Sequence, residues 1–139
     1  MKEYKRYVGV LVKVGDKCLL CKRNKKGSFP GMWSVPAGKI EEDEGTRTAA
    51  VREFKEETDL EINPDTLKFI GVLPRHTRDG KHFKGLMFMY EYQSDDELIP
   101  DLDNAVDGEE HTECKYFTKD GLKNIETGDK MKKFLIKVL

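Results

Sequence analysis

Three observations predict an α/β sandwich in which helices cover a mixed β-sheet. Short β-rich runs recur along the chain, two stretches carry helical periodicity, and the two kinds alternate without a linker or repeat. At 139 residues the chain is expected to form one domain spanning 1–139. That length buries roughly two-thirds of the unfolded surface.

The elements follow in order. Tyr7–Val14 and Cys18–Arg23 read as strands, and Gly15-Asp16 between them suits a hairpin turn. Asn24–Gly31 is a basic loop containing Gly and Pro, and Trp33–Pro36 a short strand. Thr46, just after Gly45, is a good N-cap, and the following TAAVREFKEET holds no helix breaker, so a helix is predicted over Thr46–Thr58. Leu67–Leu73 and Phe83–Tyr92 read as strands whose connection turns at Asp79-Gly80. Asp95–Gly108 is an acidic loop and Cys114–Phe117 a short strand. Asp129–Val138 closes the chain as a helix, because Met131, Phe134, Leu135 and Val138 form an i, i+3, i+4, i+7 stripe.

The first helix carries the unusual chemistry. Glu53, Glu56 and Glu57 share one face, since i, i+3 and i+4 fall together at about 100° per residue. Ala50, Val51 and Phe54 form the stripe expected to be buried. Ala49 lies between the acids and is small enough to let a ligand approach that face. Glu44 precedes the helix and Arg52 lies beside the acids, so several carboxylates surround one guanidinium. A solvated acidic face is the ordinary outcome of such a pattern. Oxygens converging on one spot instead suit a hard divalent cation, Mg²⁺ or Mn²⁺.

Composition excludes several classes. With 25 basic and 26 acidic residues the net charge is −1, which implies no general affinity for nucleic acid or membrane. No run approaches the ~20 apolar residues of a membrane span. The start, MKEYKRYVGV, lacks the apolar centre of a signal peptide, so a cytoplasmic location is expected. Cys18 and Cys21 lie three apart on a strand and point to opposite faces, which disfavours chelation. With Cys114 the count is odd, and all three are expected to be buried or half-buried free thiols. Asp101, Asp103 and Asp107 do not form a calcium loop, because Ala105 breaks the pattern and position 112 is Thr.

The spacing from Gly38 to Leu60 decides between the two readings of the acidic helix. Gly38, Glu44, Arg52, Glu53, Phe54, Glu56, Glu57 and Leu60 fit G-x5-E-x7-R-E-U-x-E-E-x-G-U, with U a bulky apolar residue. This is the Nudix box, and the chain resembles the Nudix hydrolases. Asp59 stands where the box has its last glycine. The site follows a helix end, where a left-handed residue is common, and Asp is among the few others that adopt it.

The resemblance implies a three-layer α/β/α fold and a Mg²⁺-dependent pyrophosphohydrolase, with Mn²⁺ as a possible substitute. The substrate would be a small nucleotide, a nucleoside diphosphate linked to a group X. By the same resemblance Glu53, Glu56, Glu57 and the Gly38 carbonyl are candidate metal ligands. Arg52 would hold the glutamates in place, and Glu44 has a structural role. Members of the family often carry another acid before the late strand. Glu109, Glu110 and Glu113 lie there, and aligning Tyr116-Phe117 with the usual aromatic pair favours Glu110 as a further ligand. Glu53 and Glu110 are joint candidates for the general base.

Arg23 and Lys39 are the expected phosphate contacts. The basic cluster Arg75, His76, Arg78, Lys81, His82, Lys84 lies near a hairpin tip, where side chains are solvated by default. Phe29, Trp33 and Phe83 can stack on a base or pack the core. The histidines, His111 included, read as surface residues. A non-catalytic nucleotide-binding module is the alternative function, opposed by the presence of every box acid. An isoprenyl diphosphate isomerase ranks last, since the chain is short for one and lacks an evident cysteine acid. Nucleoside triphosphates (oxidised ones included), ADP-ribose and nucleotide sugars remain open as substrates, and monomer or homodimer as the state.

Overall fold

The structure is a computed structural model that describes residues 4–24 and 29–139. Among the described residues the chain forms β1 (Lys5–Val14), β2 (Lys17–Arg23), β3 (Trp33–Ser34), β4 (Ala37–Lys39), α1 (Thr46–Thr58), β5 (Lys68–His76), β6 (Phe83–Gln93), β7 (His111–Thr118) and α2 (Asp129–Val138). All the strands join one sheet in the order β3-β2-β1-β6-β5, with β4 paired to β1 and β7 paired to β2. β1 and β6 run parallel and the other pairings are antiparallel, so the sheet is mixed.

β1 explains the layering. Its residues Tyr7 and Leu11 enter one core with Leu20, Met87 and Leu135 of α2, while Val8, Val10 and Val12 enter another with Ala50 and Phe54 of α1. A strand apolar on both faces is covered on both faces. The result is an α/β/α sandwich with β1 near its centre. No helix among the described residues is long and apolar enough to cross a membrane.

Several local expectations are corrected. The first helix is capped by Gly45 without a side-chain bond, and the Thr46 hydroxyl instead meets the Tyr90 hydroxyl at 2.6 Å. Ala49 is fully buried in the core beneath α1, so no ligand reaches the acids past it. The strand expected over Trp33–Pro36 stops at Ser34, and a second one, β4, begins at Ala37. Pro36 has no N–H for a ladder, although its carbonyl accepts from Val10 N at 3.0 Å. Part of the basic loop, residues 25–28, lies outside the described residues.

Cys21 and Cys114 are directly opposite on β2 and β7 and are joined as a disulfide, contrary to the expected free thiols. Their separation of 93 residues hides a register that only the folded sheet creates. Cys18 stays reduced and buried, and burial pushes its thiol up to about 12. Asp59 does end α1 in the left-handed region, at φ 62° and ψ 20°, with its N–H donating to the Lys55 carbonyl.

Candidate active site

The site forms where α1 lies across β4. Backbone N–H of Ala37 donates to Glu57 Oε1 at 2.9 Å, tying the helix acid to the strand. One residue on, a Cβ added to Gly38 would lie 2.0 Å from Glu53 Oε2. Only glycine lets the Glu53 carboxylate rest against this strand.

Arg52 organises the remaining acids. Its Nε and Nη2 donate to the two oxygens of Glu44 at 2.7 and 2.8 Å, a bidentate pair. Nη1 donates to Glu53 Oε1 at 2.9 Å and Glu56 Oε2 at 3.2 Å, and Nη2 also reaches the Lys39 carbonyl at 3.0 Å. The bond to Arg52 holds the Glu44 carboxyl below its usual range, and Glu44 in return raises Arg52. Burial raises Glu53 despite its own bond to Arg52.

Glu57 is the deepest acid, with its side chain 1% exposed. Burial pushes its carboxyl well up, and the neighbouring Glu110 adds to the shift. Its Oε2 is buried without a hydrogen-bond partner among the described residues.

Glu110 reaches Glu57 because the loop before β7 is stitched to α1. Asp101 N donates to the Thr58 carbonyl at 2.9 Å and Asp107 N to the Glu56 carbonyl at 2.7 Å. A short 3-10 turn over Gly108–Glu110 then aims Glu110 into a cavity of about 660 Å³ that Glu53, Gly38 and Asp107 also line. Glu109 lies outside that cavity, where its carbonyl accepts from the Asn24 side chain, and Glu113 pairs with Lys115 at 3.6 Å on β7. Of the three acids, Glu110 alone lines the cavity.

His111 was missed. It reads as a surface histidine, but its side chain is 1% exposed and its Nε2 lies 4.0 Å from Glu57 Oε1. Neither ring nitrogen has a partner among the described residues, and burial lowers the imidazole to about 4, leaving it neutral. The only signal in the sequence is its place directly after Glu110.

The same cavity is also lined by cations. Arg23 and Lys39 line the cavity, joined by Lys5, Arg75 and Lys84. From the expected hairpin cluster, Arg75 and Lys84 turn inward, while Arg78, Lys81 and His82 remain exposed. The Arg75 guanidinium sits 4.6 Å from the Tyr7 ring centre and 5.9 Å from that of Phe29. Past it lies a second cavity of about 510 Å³, which shares Arg23, Ala37 and Arg75 with the first and is lined by Phe29, Trp33 and Met131. Trp33 also packs edge-on against Phe117, and Phe83 against Tyr4 at the mouth of the first cavity.

The acids of the site are held by protein partners. Among the described residues no three His, Cys, Asp or Glu side chains stand arranged to hold a metal ion. Arg52 holds Glu53 and Glu56, and the Ala37 amide holds one oxygen of Glu57. The donor chemistry still fits a hard cation. Every group is an oxygen, and the orphaned Glu57 Oε2 gains a partner from one.

Residues 3–138 match the NUDIX domain. The chain belongs to the Nudix hydrolase family. It is 28% identical over 108 residues to the Nudix hydrolase YvcI of Bacillus subtilis, covering 78% of this chain and 65% of that protein. It is 33% identical over 98 residues to an ADP-ribose pyrophosphatase of Methanocaldococcus jannaschii, covering 66% and 56%. The chain thus spans less than two-thirds of either relative's length. The crystal structure of a MutT NUDIX hydrolase from Burkholderia pseudomallei superposes with a TM-score of 0.81 at 20% identity, covering 99% of this chain and 100% of that one. The shared fold is the Nudix α/β/α sandwich.

Proposed function

We propose that this domain is a Mg²⁺-dependent pyrophosphohydrolase cleaving a nucleoside diphosphate linked to X, with Mn²⁺ able to substitute. The observation that carries the reading is that one cavity is lined both by acids (Glu53, Asp107, Glu110) and by cations (Arg23, Lys39, Arg75). A phosphate chain needs cations around it, and a metal bound beside it needs carboxylates.

Glu53, Glu56, Glu57, Glu110 and the Gly38 carbonyl would hold the metal. When bound, the metal supplies charge to phosphoryl oxygens and makes water more acidic. Arg52 keeps Glu44, Glu53 and Glu56 oriented, and Glu44 anchors Arg52 in turn. Arg23 and Lys39 grip the phosphates. Either Glu53 or Glu110 takes the proton of the attacking water, and the raised proton affinity of Glu53 suits that task. The substrate is a small nucleotide rather than nucleic acid, met in the cytoplasm. A relative's activity as an ADP-ribose pyrophosphatase fits a split of this kind.

The test is a panel of nucleoside triphosphates, ADP-ribose and nucleotide sugars, assayed with excess chelator and then with Mg²⁺ or Mn²⁺ restored. Hydrolysis is expected only with the metal. Undiminished turnover in chelator overturns the reading.

A further inference from the structure

The mouth of the first cavity carries three lysines from three neighbouring strands: Lys5 of β1, Lys39 of β4 and Lys84 of β6. Pairing brings them together, since Lys39 lies opposite Tyr7 on one side of β1 and Gly85 opposite Lys5 on the other. Gly85 is what permits the close approach. Its φ is +150°, and a Cβ there would lie 1.8 Å from the Lys5 carbonyl oxygen. The residue before it, Lys84, is thereby set beside Lys5.

Among the described residues none of the three pairs with a carboxylate. The charged groups that act on Lys39 are Lys5 and Lys84, and those that act on Lys84 are Arg75, Lys5 and Arg23, all cations. Of the acids lining the cavity, Glu53 is engaged with Arg52 and Glu110 with Glu57.

Position then indicates what the lysines meet. Arg23 and Arg75 stand at the boundary shared by the two cavities, and the lysines line only the first. A substrate whose organic end enters the aromatic second cavity lays its first phosphates across the two arginines. Its remainder then runs out between the lysines. A neutral sugar placed there leaves three ammonium groups unanswered, whereas a further phosphate pairs with them.

We propose that Lys5, Lys39 and Lys84 form a subsite for an additional phosphate, so that X is itself phosphorylated. The preferred substrates are nucleotides with three or more consecutive phosphates, ahead of ADP-ribose and nucleotide sugars. The proposal rests on the pyrophosphohydrolase reading only for its kinetic arm.

Two measurements test it. Inorganic tripolyphosphate, titrated calorimetrically without divalent cation, is expected to bind the intact protein and to lose at least about tenfold in affinity in a Lys5→Ala/Lys84→Ala chain. Tenfold corresponds to about 1.4 kcal/mol. In the presence of Mg²⁺ the same double variant should lower kcat/KM for nucleoside triphosphates, through KM, by about tenfold more than for ADP-ribose. Lys5→Arg/Lys84→Arg should restore most of the loss. Equal tripolyphosphate affinity in intact and variant chains, or a metal-dependent preference for nucleotide sugars that the double variant does not alter, overturns the subsite while leaving the hydrolase reading intact. Lysine-dependent tripolyphosphate binding in a protein that hydrolyses nothing supports the subsite and overturns the hydrolase reading instead.

Discussion

Helices α1 and α2 cover opposite faces of the same sheet, yet they bury different chemistry. α2 presents Met131, Phe134, Leu135 and Val138 to its core, with Leu135 fully enclosed. α1 presents Ala49, Ala50 and Phe54, and then encloses the carboxyl of Glu57 as completely as any leucine. Apolar burial contributes stability, while enclosing a lone acid costs it. The acid face of α1 is therefore held by other means: Arg52, the Ala37 amide and the loop bonds at Thr58 and Glu56. The difference implies that damage to α2 will appear in folding, and damage to the acid face of α1 in catalysis.

The sharpest way to break this contrast is to neutralise the acids of the site. Glu57→Gln and Glu110→Gln are each expected to lower turnover by about 10²–10⁴-fold, with melting temperature held or raised. Steady-state kinetics should show the Glu110→Gln loss in kcat more than in KM. Glu109→Gln and Glu113→Gln serve as neighbours outside the cavity. A large loss in either of them, with Glu110→Gln silent, would move the assignment along the loop.

On the other helix, Leu135→Ala should cost about 2–5 kcal/mol of stability, read by chemical denaturation. Turnover per folded molecule should persist. Lost activity without lost stability would erase the distinction between the two helices.

His111 gives an effect of similar kind with a pH signature. Its imidazole is lowered from 6.5 to about 4 in the fold, so the unfolded chain binds its proton more tightly. The contribution to stability is complete above about pH 6.5 and is lost as pH falls toward 4. Glu57 works in the opposite sense, because its raised carboxyl loses stability as pH rises above 4.5. Measured in a Glu57→Gln background, the fall from pH 7 to 4 should shrink by roughly 3 kcal/mol when His111→Asn is added. An unchanged fall would show that His111 titrates normally.

The smallest expected effect is at the end of α1. Asp59→Gly relieves a left-handed residue at φ 62° and should stabilise by up to about 1 kcal/mol. A loss would mean that the Lys55–Asp59 contact at 3.8 Å outweighs the backbone term.

The sequence made these features legible to unequal depths. The α2 stripe repeats at helical period, so both its ends were placed from Asp129 to Val138. The box works through fixed spacing on one helix and one adjoining strand, and local geometry carries Glu44, Arg52, Glu53 and Glu57 to the same place. Where contacts depend on strands far apart in the chain, spacing is silent. The disulfide partners meet only through the β2–β7 register, and Lys5 meets Lys84 only through the parallel β1–β6 pairing. β4 was hidden for a different reason: Ala-Gly-Lys has little β propensity and gains its strand geometry from β1. Ala49 was misplaced because small residues fit either a ligand face or a tight helix–sheet contact.

Gly38 contributes to the site by what it lacks. The clearance between the strand and Glu53 is smaller than one methyl group, so the tolerance of this acid is set by the backbone facing it. A library of substitutions would then show an odd symmetry. Adding a carbon at position 38 should inactivate in the same way as removing the carboxylate at position 53, although the first change deletes no functional group and alters no charge.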